Sequence, residues 1–372
     1  MQSDVIVIGA GTVGAAIAYG LARRKLRVLV LDGDDGDFRA ARANFGLVWL
    51  QGKGINLPAY QMWTRASTEL WPEFNRELAG LANTDLEYER NGGLTFCLGE
   101  NEFENRRLHL QRLHNQLGDA EMDWEMLDRT ALTKLLPAVR LGPDVTGASF
   151  GRRDGHANPL KLLAALLAGI QRLGGTLRTR AQVRSILPGS AGFTVVFGDE
   201  RASAPRVVIA AGLGSAALAQ QVGLEIPLRP QRGQILVTER FAPSLPLPSS
   251  GLRQTRDGTV MVGATQEEVG FDASTTNAAA RTLSAKVIRI VPALAHATLV
   301  RHWAGLRIMT PDSYPIYAQS KAHPGAFVAL CHSGVTLAAA HAATIADAIV
   351  AGALPSSLDV FHQRRFDVPE AA

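Results

Sequence analysis

The chain has 372 residues, of which 47% are hydrophobic and 19% are charged, and its formal net charge is +4. This is an ordinary composition for a soluble globular protein of about two domains, at roughly 150 residues each. The basic residues form no run beyond residues 22–25, which argues against nucleic acid as a partner. Cys97 and Cys331 are too few for a disulfide framework and too far apart for a zinc site, so we expect no metal and a reducing, cytoplasmic setting.

The first predicted unit is a strand, a glycine-rich turn, a helix and a second strand. Residues 4–8 form a short apolar run, which is typical of a strand buried in a parallel sheet. The turn GAGTVG (9–14) follows at once, and the helix predicted over 15–25 ends in basic residues, which suit the negative end of a helix. A second apolar run over 27–31 ends at Asp32. The segment therefore predicts a βαβ unit.

The three glycines of this unit have the spacing of a dinucleotide-binding fingerprint. Gly9 permits a tight turn, Gly11 lets the backbone approach a pyrophosphate, and Gly14 lets helix and strand pack closely. Asp32 is placed to accept hydrogen bonds from an adenosine ribose, which argues against NADP. The alternative is a glycine-rich turn that binds nothing. The fingerprint alone does not separate FAD from NAD, but the polar, arginine-bearing segment 37–46 is unlike a compact nicotinamide-binding domain.

The middle of the chain leaves this pattern and then returns to it. Helices are predicted over 59–80, 101–118, 126–136 and 159–168, and a strand, a glycine break and a strand over 87–98. Short strands follow over 176–180, 183–187, 193–197 and 206–210. The last of them runs into a glycine turn at 212 and a helix over 215–221. A buried strand of this kind about 190 residues after the first unit predicts an inserted second domain.

The C-terminal third begins with a second β-rich region. Strands are predicted over 235–237, 251–254, 260–263 and 297–307, and a helix over 278–289. A strand over 327–330 then leads through a polar turn into a helix over 336–350. The weakly polar stretch 334–354 carries His341 and Asp347, so it is expected to be a buried helix and not a membrane span.

Eight motifs, in chain order, resemble the D-amino-acid oxidase family of flavoproteins. They are GAGTVG with Asp32, ARANFG (41–46), DGHANP (154–159), VVIAAG (207–212), RGQ (232–234), VGAT followed by GFD (262–272), WAGLR and TPDSYPIY (303–317), and CHSGVTLA (331–338). This family includes glycine oxidase, sarcosine oxidase and the β subunits of amino-acid dehydrogenases. In detail the motifs look most like the branch of D-hydroxyproline dehydrogenase, opine oxidase and hydrogen cyanide synthase.

The resemblance implies an α/β fold, α+β overall. It has a Rossmann-type FAD-binding domain of the glutathione-reductase-like kind and an inserted antiparallel-sheet substrate domain. The FAD-binding domain would comprise 1–50, 141–220 and 305–372, and the substrate-binding domain 51–140 and 221–304. Covalent sarcosine oxidases place a cysteine six residues before the proline of Thr-Pro-Asp, where this sequence has Gly305. Because Cys331 does not match the attachment site either, non-covalent FAD is expected.

The resemblance also implies which residues bind FAD. Val183 would give backbone contacts to the adenine, and the loop 42–44 would pass the isoalloxazine. Residues 334–336 would begin the last helix, with its N–H groups facing flavin N1 and O2; for Gly334 the alternative is a turn that needs a positive φ. The full set is Gly9, Gly11, Val13, Gly14, Asp32, Arg42, Ala43, Asn44, Gly46, Leu47, Val183, Ala211, Gly212, Gly305, Arg307, Ser333, Gly334, Val335 and Thr336.

For the substrate, the resemblance assigns Arg307 to the carboxylate of an amino acid, which suits a guanidinium fork. His302, His332, Tyr60 and Gln234 are further candidate substrate contacts. His156, His302 and His332 are the candidate acceptors of the amine proton. No catalytic side chain is certain, because a flavin can take hydride from a neutral amine without a base on the protein.

The implied reaction is FAD-dependent oxidation of the C–N bond of a small secondary or D-amino acid to an imine, by hydride transfer to flavin N5. D-hydroxyproline, an opine, iminodiacetate, sarcosine and glycine are the candidate substrates, and O2, an acceptor protein or a quinone would take the electrons. One alternative is an electron-relay or catalytic subunit of a hetero-oligomeric dehydrogenase. Another is a flavin-binding protein without turnover. We expect a cytoplasmic protein, and peripheral association with a membrane is the alternative.

Overall fold

The computed structural model describes residues 3–33, 40–118, 122–242 and 244–367. Residues 37–39 of the polar segment 37–46 lie outside the described residues. The strands are β1 (Val5–Ile8), β2 (Val28–Leu31), β3 (Leu47–Val48), β4 (Gly93–Leu98), β5 (Trp124–Asp128), β6 (Val145–Gly151), β7 (Gly155–His156), β8 (Thr176–Arg178), β9 (Val183–Gly189), β10 (Gly192–Phe197), β11 (Glu200–Ala204), β12 (Arg206–Ile209), β13 (Arg229–Arg240), β14 (Leu252–Gln254), β15 (Thr259–Gly263), β16 (Leu299–Met309), β17 (Ile316–Gln319) and β18 (Ala326–Leu330). The helices are α1 (Thr12–Arg23), α2 (Pro58–Ala82), α3 (Glu100–Asn115), α4 (Arg129–Leu135), α5 (Pro159–Arg172), α6 (Ser215–Gln220), α7 (Asn277–Ile290), α8 (Ala338–Ala340) and α9 (Ala346–Ala351).

A six-stranded sheet in the order β17-β18-β12-β1-β2-β8 forms the centre of the nucleotide-binding half. Its strands run parallel except β17, which is antiparallel to β18. All four residues of β1 are buried because both faces are covered. Val5 and Val7 pack towards α1, α2 and α5, whereas Ile6 and Ile8 pack towards the small sheet β11-β10-β9. This two-sided burial explains the continuous apolar run in the sequence.

Two antiparallel sheets form the other half. The order in the larger sheet is β14-β15-β13-β16, and β13 pairs with β16 from Arg229 opposite Met309 to Thr238 opposite Leu299. The smaller sheet has the order β4-β6-β5. Apolar residues of both sheets and of α7 share one core. The predicted fold class, a Rossmann-type sheet with an antiparallel-sheet region, is confirmed.

The proposed domain bounds cut across two of these pairings. Strand β6 lies within 141–220, the segment assigned to FAD binding, but it pairs with β4 and β5 of the other half. Strand β16 continues past residue 304, so the boundary there falls inside one strand. The domain bounds stay a proposal. The pairing of β6 favours moving the start of the second FAD-binding segment from residue 141 to a point after residue 151.

Three predicted elements differ from the structure. The helix predicted over 126–136 is wrong at its start, because β5 continues to Asp128, whose side chain then caps α4 by accepting from Ala131 N. Of the two strands predicted within 87–98, only β4 is a strand; Glu89 makes an isolated bridge to His156. The last helix begins at Ala338, after a turn, and not at 334–336 as expected; it is interrupted by a π-helical turn over His341–Ile345.

No single helix in the described ranges is long and apolar enough to cross a membrane. By length and composition alone, the bent pair Ala338–Ala351 and Ser356–Phe366 passes the same test.

Candidate cofactor and substrate site

A cavity of about 880 Å³ runs along the carboxyl ends of β1, β2, β12 and β18 and reaches the face of β13 and β16. Ligands bind at this edge in open α/β sheets. Of the predicted cofactor-binding residues, the cavity wall contains Gly9, Gly11, Val13, Asp32, Ala43, Asn44, Leu47, Val183, Ala211, Gly212, Gly305, Arg307, Ser333, Gly334, Val335 and Thr336. The structure therefore brings most of the predicted set together.

Gly14, Gly46 and Arg42 do not line this cavity. A Cβ on Gly14 would lie 2.0 Å from the carbonyl oxygen of Gly9, so Gly14 permits close packing of α1 on β1. Gly46 has φ +88°, and a Cβ there would lie 2.4 Å from the carbonyl oxygen of Ala157. Arg42 is exposed. The two glycines shape the surroundings of the cavity and do not form its wall.

The N-terminus of α1 opens onto the cavity and suits a phosphate. Gly11 is its N-cap and offers no side-chain cap, and the first turn contains no acidic residue. Within the described residues, a Cβ on Gly11 would meet no atom within 4 Å, and the buried Oγ1 of Thr12 has no hydrogen-bond partner. At the end of β2, Asp32 accepts a hydrogen bond from Ala10 N at 3.0 Å, which fixes its carboxylate beside the turn. Unpaired helix N–H groups and the positive end of the helix dipole fit the pyrophosphate of FAD.

The turn that precedes α8 faces the other end of the cavity. Leu337 N donates to Ser333 O at 3.0 Å, so the N–H groups of Gly334, Val335 and Thr336 precede the bonded ladder of this turn. Gly334 does not have a positive φ, so the alternative that it needs one is wrong. Thr336 Oγ1 donates to Leu47 O at 3.1 Å and holds the turn against the segment that follows the loop 42–46. These N–H groups fit the polar edge of the isoalloxazine.

Arg307 extends from β16 across Gly233 of β13. A Cβ on Gly233 would lie 2.6–2.7 Å from the guanidinium atoms, so Gly233 provides the space that this side chain occupies. The Arg307 guanidinium donates to Gln231 Oε1 and to Arg232 O, both at 3.3 Å. In the part of the chain that the structure describes, no carboxylate lies within salt-bridge distance of it. Burial lowers the pKa of Arg307, which increases the benefit of an anionic ligand.

Lys53 is a cavity residue that the sequence analysis missed. Its ammonium donates to Ser333 Oγ at 2.8 Å and lies 3.4 Å from His332 Nε2. Burial lowers the pKa of Lys53 to about 8 and that of His332 to about 3, so the imidazole is neutral. Lys53 lies in the irregular segment between β3 and α2. The signal that could have found it is its position between two glycines, shortly after ARANFG.

His332 lines the cavity, but three other candidate substrate residues do not. Tyr60 is buried behind Ser333, to whose Oγ its hydroxyl donates at 3.0 Å. Gln234 is fully buried, and its amide donates to Glu267 Oε1 at 2.9 Å. His302 lies five residues before Arg307 on β16 and pairs with Leu236, which places it on the opposite face of the sheet. The expected direct substrate contact therefore finds no support at Tyr60, Gln234 or His302.

The third histidine weighed as a proton acceptor, His156, is also outside the cavity wall. It is buried, its Nδ1 lies 3.2 Å from the guanidinium of Arg253, and burial lowers its pKa to about 4. Across the described ranges, no group of three His, Cys, Asp or Glu residues is placed to hold a metal ion. The cavity thus has the N-terminus of α1 and the acid Asp32 at one end, and the turn 334–336, two cations and a neutral histidine at the other end.

Comparison with known proteins finds relatives that match over nearly the whole chain. The model of the DAO family, described as FAD dependent oxidoreductase, matches residues 4–348. A relative from Rhizobium meliloti, named as a subunit of opine oxidase, is 41% identical over 370 residues, covering 100% of this chain and 99% of that protein. The crystal structure of glycine oxidase from Geobacillus kaustophilus has a TM-score of 0.87 at 24% identity, and covers 100% of both chains. That of iminodiacetate oxidase from Chelativorans sp. BNC1 has a TM-score of 0.82 at 25% identity, and covers 96% of this chain and 98% of the other.

The family match spans almost the whole chain, and the cavity wall contains Gly9 and Gly11 of the dinucleotide fingerprint and its acid Asp32. FAD is therefore the cofactor, and the protein is an enzyme. The chain belongs to the DAO family of FAD-dependent oxidoreductases.

Proposed function

We propose that the protein oxidises the C–N bond of a small secondary or D-amino acid to an imine. The observation that carries this proposal is Arg307, whose guanidinium lines the cavity without a carboxylate partner in the described part of the chain. A guanidinium fork binds both oxygens of a carboxylate at once, and the carboxylate is the group that all amino acids share. The names of two relatives, an opine oxidase and an iminodiacetate oxidase, support an amine substrate.

When bound, FAD supplies the acceptor for a hydride, at N5 of its ring. The neutral amine would give up that hydride from carbon, which leaves a protonated C=N double bond, and the nitrogen would then release its proton to water. Arg307 fixes the carboxylate, and the N–H groups of Gly334, Val335 and Thr336 stabilise negative charge at the adjoining edge of the cavity. His332 is neutral and accepts hydrogen bonds. The protein's contribution is thus orientation and electrostatics.

We also propose that FAD is held without a covalent bond. Cys331 lines the cavity, but burial raises the pKa of its thiol to about 12, so it is not a ready nucleophile. Gly305 has no side chain to offer, and a Cβ there would lie 2.3 Å from that of Ala43. Acid precipitation should leave the yellow colour in the supernatant; colour that stays with the precipitated chain would contradict this.

A second candidate function is that of one component in a hetero-oligomeric dehydrogenase. It is favoured by the name of the relative that is 41% identical, which calls that protein a subunit. In this case the chain would bind and oxidise the amine, but a partner protein or quinone would take the electrons in place of O2.

One experiment tests both functions. The purified, FAD-loaded chain is mixed with D-hydroxyproline, iminodiacetate, sarcosine, glycine and an opine, and hydrogen peroxide formation is compared with reduction of an artificial dye. Peroxide formation with at least one amine supports an oxidase, and dye reduction without peroxide supports a component of a dehydrogenase. If no amine bleaches the flavin in the absence of O2, amine oxidation by this chain is contradicted.

A further inference from the structure

Two cations, Lys53 and Arg307, line the same cavity. They come from different elements: Lys53 from the segment between β3 and α2, and Arg307 from β16. They are near enough for the charge of Arg307 to lower the pKa of Lys53, and both charges lower the pKa of His332. His332 is thus a shared neighbour of the two cations.

The partners of Lys53 do not neutralise its charge. Its ammonium has three donors, and the described chain offers two neutral acceptors, Ser333 Oγ at 2.8 Å and His332 Nε2 at 3.4 Å. The charge of Asp154 raises the pKa of Lys53, but among the described residues no ion pair joins the two side chains. The Asp154 carboxylate instead accepts from Leu50 N at 2.5 Å and Gln51 N at 3.3 Å.

A cation kept in a cavity wall without a counter-charge costs free energy that an anionic ligand restores. Arg307 by itself accounts for one carboxylate. We propose that Lys53 forms a second anion subsite, which binds the second carboxylate of a secondary amine that carries one carboxylate on each arm. The inference rests on the proposed role of Arg307 for the first carboxylate. In this arrangement the nitrogen lies between the two anchors, and Ser333 and His332 orient the Lys53 ammonium.

The proposed subsite predicts that the enzyme prefers ligands with two carboxylates to ligands with one. This preference can be measured with ligands that contain no amine. Diglycolate has two carboxylate arms on an ether oxygen, and methoxyacetate has one; neither offers an amine to oxidise. Both are titrated into the FAD-loaded enzyme, and binding is followed by the change in flavin absorbance. Wild type should prefer diglycolate. In Lys53→Met that preference should fall by about 30-fold or more, since removal of one partner of a buried charge pair costs at least about 2 kcal/mol.

Lys286→Met is the matched control, because Lys286 is an exposed lysine on α7, and it should keep the preference of the wild type. Lys53→Arg should retain part of the preference. Lys53→Gln gives the same test as Lys53→Met if the latter binds too little FAD. An unchanged preference in the neutral variant overturns the subsite. A changed affinity of the flavin for sulfite with an unchanged preference also overturns it, since Lys53 would then serve the cofactor.

The same enzymes, mixed with iminodiacetate and sarcosine in the absence of O2, separate this inference from the proposed function. If sarcosine bleaches the flavin but the preference for diglycolate does not depend on Lys53, the subsite fails and amine oxidation stands. If the preference depends on Lys53 but no amine bleaches the flavin, the subsite stands and amine oxidation fails.

Discussion

At the scale of single residues, the site depends on glycines, which leave space for neighbouring groups, as much as on its charged side chains. Gly233 leaves the space in which the guanidinium of Arg307 lies, and Gly305 leaves room for the loop residue Ala43. The sequence motifs RGQ and WAGLR contain these glycines, but a motif does not tell which neighbour needs the space. The glycines that flank Lys53 do not by themselves show where its side chain lies, because the segment is irregular and its contacts with His332 and Ser333 span about 280 positions of sequence.

Gly233→Ala should reduce kcat/KM while FAD remains bound. The added Cβ would overlap the guanidinium of Arg307, and a displacement of about 1 Å in a positioning group can cost up to about 100-fold in rate. Steady-state kinetics with the best amine and the FAD content per chain are measured. Gly80→Ala is the control, because a Cβ on this exposed glycine of α2 meets no atom of the described chain within 4 Å. Wild-type kinetics in Gly233→Ala would contradict the contact with Arg307.

His332 should not account for the pH dependence of the reaction. Because burial lowers its pKa to about 3, the ring stays neutral, and the rise of kcat/KM with pH should follow deprotonation of the substrate amine. His332→Gln should therefore leave the apparent pKa of this rise in place, even if the rate changes. The exposed His296→Gln is the control. A shifted or missing rise in His332→Gln alone would show that the imidazole takes the proton.

At the scale of elements, the nucleotide-binding parts were predictable and the connecting parts less so. The strands β1, β2 and β12 are buried on both faces, so their apolar runs are unambiguous. In contrast, Met126 and Leu127 fit a helix as well as a strand, and the cap at Asp128 decides between them. The π-helical turn over His341–Ile345 has no sequence signature; it lies where Ala342 packs its carbonyl against Gly20 of α1.

Gly11→Val should abolish FAD binding without unfolding the chain. A Cβ on Gly11 meets no atom of the described residues within 4 Å, so a valine side chain would extend into the space beside the N-terminus of α1 where the pyrophosphate is expected. The FAD content and the circular dichroism spectrum of the purified variant are the measurements. Gly189→Val at the exposed end of β9 is the control; there a Cβ would lie 3.8 Å from Gly192 O, its one contact within 4 Å among the residues the structure describes. Stoichiometric FAD in Gly11→Val would place the cofactor elsewhere.

At the scale of the whole molecule, the cavity lies where the edge of the parallel sheet meets the face of the sheet that contains β13 and β16. The return of the chain to the parallel sheet could be inferred, because β12 repeats the apolar pattern of β1. The pairing of the antiparallel strands could not, since alternating patterns do not specify partners. Strand β6 is the example: its sequence follows the substrate segment, and only the structure shows it between β4 and β5.

The central claim is that Arg307 binds the carboxylate of an amine that the enzyme oxidises. Its most direct test is the rate at which that amine bleaches the bound FAD in the absence of O2, in wild type, Arg307→Ala, Arg307→Lys and the exposed control Arg281→Ala. We expect Arg307→Ala to retain FAD and to lose about 2–5 kcal/mol of transition-state binding, at least about 30-fold in kcat/KM. Arg307→Lys should recover part of this loss and Arg281→Ala should match the wild type. Bleaching of Arg307→Ala at the wild-type rate and substrate concentration would contradict the account.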